Sequence, residues 1–164
     1  MDIRYINSLV GENFLIAIKY YRVVRIFMNN KLIEKAERLL CQCDVCTAAS
    51  VTENGYPRIC VLKHIKTSGI KEFWFSTSAS SNKVRHFSKN DKAGVTFYNG
   101  GDSVTLIGEM EVIADKAVMD ALWQTWMENH FANGGKDDPE YCVIHFTAKE
   151  AAVYIDGEYE ILSI

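Results

Sequence analysis

Val45-Cys-Thr-Ala-Ala-Ser-Val-Thr-Glu-Asn-Gly-Tyr-Pro-Arg-Ile-Cys-Val-Leu-Lys-His-Ile65 is the stretch whose reading decides the fold. Two apolar runs flank Asn54-Gly55, the pair that type I′ hairpins prefer because both central residues need positive φ. A strand over Val45–Val51 is therefore expected to pair back on a strand over Pro57–Ile65. Alternation along the second strand puts Arg58, Cys60 and Leu62 on one face and Ile59, Val61 and Lys63 on the other. Downstream, Lys71–Thr77 carries Phe73, Trp74 and Phe75, strong strand formers, and turns the hairpin into a meander. The polar run Ser78–Asn82 leads into a short helix ending at Phe87, expected to start near Ser80 or Ser81 with a hydroxyl cap. Strands over Ala93–Tyr98 and Ser103–Ala114 meet at Asn99-Gly-Gly-Asp102, and Asp115 caps a helix predicted from Lys116 to about Phe131, with Val118, Leu122, Trp126 and Trp123 as its inner-face residues. The chain closes with strands over Tyr141–Thr147, Ala151–Ile155 and Tyr159–Ile164 around an Asp156-Gly157 turn. Upstream, Leu32, Ile33, Ala36, Leu39 and Leu40 recur at helical steps and mark a helix ending near Cys41. Hairpin connections with a few helices inserted between them imply a mainly β, α+β chain folded as a small antiparallel barrel with flanking helices. A parallel fold would need a helix between nearly all strands.

Composition narrows the function classes. A chain of 164 residues with 48% hydrophobic and 24% charged residues builds one globular core and is not disordered. A net charge of -3 supplies no basic field for nucleic acid. Apolar runs near the start, such as Asn13–Ile18 between Glu12 and Lys19, fall short of the roughly 18 residues a membrane span needs. Five cysteines, an odd number without a cleavable signal pattern, lead to an expectation of reduced thiols in a cytoplasm. Cys41-x-Cys43-x-x-Cys46 lacks the second ligand pair of a closed zinc site, and no metal is expected. The four histidines lie in different elements with no nucleophile motif beside them, and no catalytic side chain is assigned. Residues 1–30 carry a net +2 while the remainder carries -5. Residues 1–29 are therefore read as an N-terminal extension packed on the core or a partner, ahead of a domain over 30–164. Within the extension, Phe14–Phe27 is also readable as a basic amphipathic helix, and Met28 as an alternative start.

Two polar clusters on neighbouring strands carry the chemistry. Arg58 opens one strand, and the next ends in Ser76-Thr-Ser-Ala-Ser-Ser-Asn-Lys83. Hydroxyls, backbone N–H groups and an ammonium within one turn are what a phosphate dianion needs, and the fork of Arg58 can reach the same anion. The alternative is a solvated serine-rich loop with an exposed lysine.

Glu53–Lys63, Phe73–Phe87 and Gly101–Glu109, taken in order, resemble the pyridoxamine 5′-phosphate oxidase-like flavoproteins, and Leu122-Trp-x-x-Trp126 with Asp137–Cys142 resembles their general stress protein 26 group. The resemblance runs from about Asn30 to Asp156. It implies a split β-barrel homodimer with flavin mononucleotide (FMN) at the subunit interface. By position, Arg58 would contact the phosphate side, and Ile59, Cys60 and Val61 would present backbone to the ring edge. Thr77 and Ser78 would bond the ring or ribityl chain, and Ser81 and Lys83 would hold the phosphate. Lys63 aligns with a substrate-phosphate ligand. Asn82 stands where the oxidase has an arginine, and the terminus Glu158–Ile164 lacks the Arg- and His-containing tail of vitamin-oxidising members. The resemblance thus implies a flavin-dependent oxidoreductase acting on another small molecule. A non-enzymatic flavin store or sensor is the second reading, and a haem-binding barrel using His64 or His86 the third.

Overall fold

The computed structural model describes residues 18–20 and 29–164. Contacts divide the chain into two units, residues 1–35 and 36–164. Residues 18–20 and 29–35 of the first unit are helical. The expectations about the Phe14–Phe27 segment and Met28 otherwise lie outside the described residues. Helix α1 covers 29–42, and within the second unit it buries Ala36, Leu39 and Leu40, the positions its three- and four-residue spacing selects.

The second unit is built on seven antiparallel strands: β1 (Val45–Val51), β2 (Pro57–Ser68), β3 (Glu72–Ser78), β4 (Lys92–Asn99), β5 (Asp102–Ile113), β6 (Tyr141–Ile155) and β7 (Glu158–Ser163). Their order is β3-β2-β1-β4-β5-β6-β7, and β3 also pairs with β6. That last pairing closes six strands into a barrel and leaves β7 as a hairpin arm on β6. Inward residues of each strand fill the interior: Phe73, Phe75, Val95, Phe97, Val104, Leu106, Met110 and Phe146 are fully buried, with the Phe73 and Phe97 rings 5.2 Å apart.

Turn chemistry follows the local sequence except at Asn54-Gly55. Only Gly55 of Asn54-Gly55 has positive φ, and its N–H donates to Thr52 O at 2.9 Å. The loop is thus a tight turn followed by a left-handed glycine, not the expected type I′ pair, because Thr52 accepts Tyr56 N–H on its hydroxyl and lengthens the loop. Two consecutive positive φ values occur instead at Gly100-Gly101, between β4 and β5, and at Asp156-Gly157, between β6 and β7.

Two further expectations are corrected. Tyr141–Thr147 and Ala151–Ile155 are one strand, since β6 runs on through a register shift against β5 and pairs along its length with β5, β3 or β7. The helix expected over Lys116–Phe131 is α3 (Lys116–Ala121) followed by a 3-10 turn over Thr125–Asn129. Between them Gln124 is extended, and its amide donates to Ile65 O at 2.7 Å and accepts Trp126 Nε1–H at 2.6 Å. Trp123 and Phe131 meanwhile pack on Tyr141, at 4.9 and 5.1 Å between rings. Tertiary aromatic contacts thus override helix propensity, and Met119 rather than the exposed Val118 faces the core. Asp115 caps α3 as expected, accepting from Ala117 N–H and Val118 N–H. Asp115→Ala is expected to lower unfolding free energy by about 1 kcal/mol in urea titration.

The feature that positions the site is a parting of strands. β2 pairs with β1 from Pro57 to Lys63 but with β3 only from His64 to Ser68, with an irregularity between His64 and Lys66. The other end of β3, Ser76–Ser78, pairs with β6. Past His64 and Phe75 the two strands diverge, and a cleft opens between Arg58–Lys63 and Ser76–Lys83.

Candidate functional site

Helix α2 (Asn82–Phe87) stands at one end of this cleft. There, a groove of about 430 Å³ lies between Arg58–Cys60 of β2 and Ser80–Lys83, with Ser50 of β1 beside it. At the other end, a second groove of about 360 Å³ is lined by Val61–Lys63, Ser76–Ser78, Trp126, His130 and Phe131. The predicted site residues therefore gather along one trench: Arg58, Ile59, Cys60, Ser81 and Lys83 in the first groove, Val61, Lys63, Thr77 and Ser78 in the second.

Alternation along β2 holds as read. Leu62 is buried and Cys60 half-buried, whereas Ile59 and Val61 are 64% and 67% exposed on the opposite face. Lys83 Nζ donates to Thr77 Oγ1 at 3.0 Å, joining α2 to β3, and Thr77 Oγ1 lies 3.5 Å from Ser81 Oγ. Ser81 makes no side-chain cap to α2, contrary to the hydroxyl cap expected from sequence, because its hydroxyl is turned to Thr77. Burial pushes the Cys60 thiol up, while the charges of Lys83 and Arg58 pull it down. Two cations from separate segments thus act on one sulfur at the groove wall. Cys46, on the inner face of β1, is pushed up to about 12, chiefly by burial. It is an inert core thiol.

Ser50, Glu140 and the bond that His86 makes to Ser50 escaped the sequence reading. Ser50 Oγ and His86 Nδ1 are 2.9 Å apart, both residues buried, and this bond fixes α2 against β1 behind the groove. Alternation would have put Ser50 inward with Cys46 and Ala48, and an inward serine on an apolar face is a signal that a partner exists. Glu140, just before β6, gave no such signal. Its carboxylate accepts hydrogen bonds from Ser78 Oγ, from Ser80 Oγ at 2.8 Å and from Ser80 N–H at 3.2 Å. The serine-rich loop is thereby clasped, and the Ser78 hydroxyl is already engaged as a donor to a carboxylate. These bonds, Ser78 first, hold Glu140 below the usual carboxylate range. A carboxylate lowered by folding stabilises above its unfolded pKa, so the clasp is complete at neutral pH and is lost only as pH falls through the lowered value.

At the far end, Lys63 Nζ stands 4.8 Å from the centre of the Trp126 ring, and His130 meets that ring edge-on at 5.7 Å. His64 and His86 open onto neither groove: His64 meets Phe97 edge-on at 5.9 Å, and His86 is bonded to Ser50.

The family model described as pyridoxamine 5′-phosphate oxidase matches residues 32–154. Among solved structures, the chain is similar to a Clostridium acetobutylicum protein described as related to general stress protein 26 of B. subtilis, of the pyridoxinephosphate oxidase family. Identity is 29%, covering 82% of this chain and 95% of that one, with a TM-score of 0.75. General stress protein 26 from Bacillus anthracis is 17% identical, with 81% and 98% of the two chains covered and a TM-score of 0.68. A heme binding protein from Mycobacterium smegmatis is 15% identical, with 80% and 57% covered and a TM-score of 0.64. The last two likenesses concern the fold alone. No curated protein matches the sequence. With the model match spanning the barrel, its parted strands and the trench between them, the chain belongs to the pyridoxamine 5′-phosphate oxidase family.

Proposed function

We propose that the protein binds FMN in the trench as a homodimer and acts as a flavin-dependent oxidoreductase on a small molecule in a stress response. The observation that carries this reading is the convergence of Arg58 and Lys83 on one groove beside Cys60. A guanidinium fork and an ammonium, with the Ser81 hydroxyl, form a donor set suited to a phosphate dianion. Asn82 adds an amide where a further cation would strengthen the grip. Next along the trench, backbone at Ile59, Cys60 and Val61 would meet the ring edge, with Thr77 on the opposite wall. Ser78, its proton committed to Glu140, would offer only an acceptor oxygen. The flavin, when bound, supplies hydride and electron transfer, while the chain positions it, bonds its edge and excludes water. His64 and His86 open onto neither groove, which favours the flavin reading over haem ligation by either residue.

The outer face of the barrel supports a second subunit. Thr47 stands between Val61 and Thr96, Ala49 between Ile59 and Gly94, and Gly94 beside Ile107. Small residues floor this face, and the exposed Ile59, Val61, Tyr98 and Ile107 rim it. Such a patch, continuous with the trench, suits a self-associating interface that would also close the flavin site. Ile107→Glu is expected to raise the dimer dissociation constant at least about tenfold by sedimentation velocity and to weaken FMN binding with it. A dimer unaltered by that change would contradict this interface. All five cysteines are free, which supports a cytoplasmic setting, and no described helix is long and apolar enough to cross a membrane.

The absorption spectrum of purified protein mixed with FMN tests the reading. Perturbed flavin bands are expected, and a Soret band would point to haem instead. Bleaching of the bound flavin by a reduced nicotinamide, with reoxidation by a quinone or nitro compound over many turnovers, is the expected sign of an enzyme. Binding without such turnover would make the protein a flavin store or sensor.

A further inference from the structure

The Asp137–Cys142 motif lines neither groove, yet it is built as a strut against the first of them. Asp138 is buried, and its two carboxylate oxygens accept Asn133 N–H and Glu140 N–H, each at 2.9 Å. With Tyr141 N–H on Asp138 O at 2.9 Å, Glu140 is set in one place just ahead of β6. Its backbone oxygen accepts Ala79 N–H at 2.8 Å, which carries the β3–β6 ladder one step past Ser78. Its Oε2 gathers three donors: the Ser78 hydroxyl, the Ser80 hydroxyl and Ser80 N–H. Within the clasped loop, Ser81 N–H donates to Ser78 O at 3.0 Å and closes a turn. Just past that turn, Ser81 and Lys83 line the first groove together with Arg58.

We infer that Glu140 is a positioning residue for the anion groove: it holds the Ser78–Ser81 turn in the form that sets Ser81 and Lys83 opposite Arg58, and it touches no ligand itself. That the anion is the FMN phosphate rests on the flavin reading, whereas the effect of the clasp on these donors does not. A serine-rich turn left to water would fluctuate, and the entropy lost in ordering it would oppose phosphate binding. With three donors gathered on one fixed oxygen, the ordering is complete before an anion arrives. Charge is not the contribution of Glu140, since a carboxylate repels phosphate. It acts as an acceptor, and an amide oxygen at the same position can serve in its place. Riboflavin has no phosphate for Ser81 and Lys83 to hold, so its binding depends little on the turn.

The test titrates full-length, flavin-free protein with FMN and with riboflavin by calorimetry. Glu140→Ala is expected to weaken FMN binding at least about tenfold and riboflavin binding by no more than about threefold. Glu140→Gln should stay within about threefold of the unaltered protein for both flavins. Amide hydrogen exchange at Ser80 should quicken in Glu140→Ala and change little in Glu140→Gln. Ser80→Ala removes one arm of the clasp from the loop side and should give a smaller loss with the same selectivity, which keeps the test decisive if Glu140→Ala fails to fold. An FMN-to-riboflavin ratio that Glu140→Ala leaves unchanged overturns the inference, as does an equal loss in Glu140→Ala and Glu140→Gln. Inorganic phosphate, followed through the Ser81 and Lys83 amide resonances, separates this role from the flavin reading. If FMN fails to bind while Glu140→Ala suppresses the phosphate response, the flavin reading falls and the role of Glu140 stands. A phosphate response that survives Glu140→Ala overturns that role.

Discussion

Lys83→Ala is expected to weaken FMN binding by about ten- to a hundredfold and to leave riboflavin binding nearly unchanged. A hydrogen bond to a charged group contributes about 1.5 to 3 kcal/mol, which sets that range. The two ligands differ only in the phosphate, so their ratio isolates the end of the trench where Lys83 and Arg58 stand. The described contact of the Lys83 ammonium is the Thr77 hydroxyl, so folding should change little. Parallel fluorescence titrations of the two flavins check the result. Equal losses for both would mean that Lys83 shapes the trench through Thr77 and does not hold phosphate.

Gly108→Ala should cost about 3 kcal/mol or more of stability. A Cβ at Gly108 would stand 2.1 Å from Thr147 O, 2.9 Å from Thr147 C and 3.0 Å from Ala148 Cα, all backbone atoms of the neighbouring strand. No rotamer relieves such a collision. The strands would have to separate where the β5–β6 register shifts, beside Ile107 and Gly108. Gly55→Ala makes the contrasting case: its φ of +81 strains an L-residue, but nothing lies within 4 Å of the added methyl, and about 1 kcal/mol is expected. Urea titration of both variants separates collision from strain. A loss at Gly108 no larger than at Gly55 would contradict the described approach of β5 and β6.

How much was legible in the sequence depends on the range of the interactions involved. Arg58–Lys63 could be read because strand alternation is local, and burial of Leu62 against exposure of Ile59 and Val61 follows the pattern. Asp115 could be read as a cap because its acceptors lie two and three residues on. The break at Gln124 could not be, since its amide is satisfied by Ile65, far away in the chain. Nor could the clasp of Ser78 and Ser80 by Glu140, separated by some sixty residues. The candidate site shows the same division. Each half of the trench has a local signature, but the cleft between them depends on β2 and β3 parting after His64 and Phe75 while β3 stays paired with β6 along its whole length, a long-range arrangement.

Whether this trench seats FMN by its phosphate is decided by a calorimetric titration of flavin-free protein with FMN and with riboflavin. Saturable FMN binding in the micromolar range or tighter is expected, stronger than riboflavin by about the factor that Lys83→Ala removes. Protein that leaves FMN unbound at millimolar supply, or binds the two flavins equally, would contradict it.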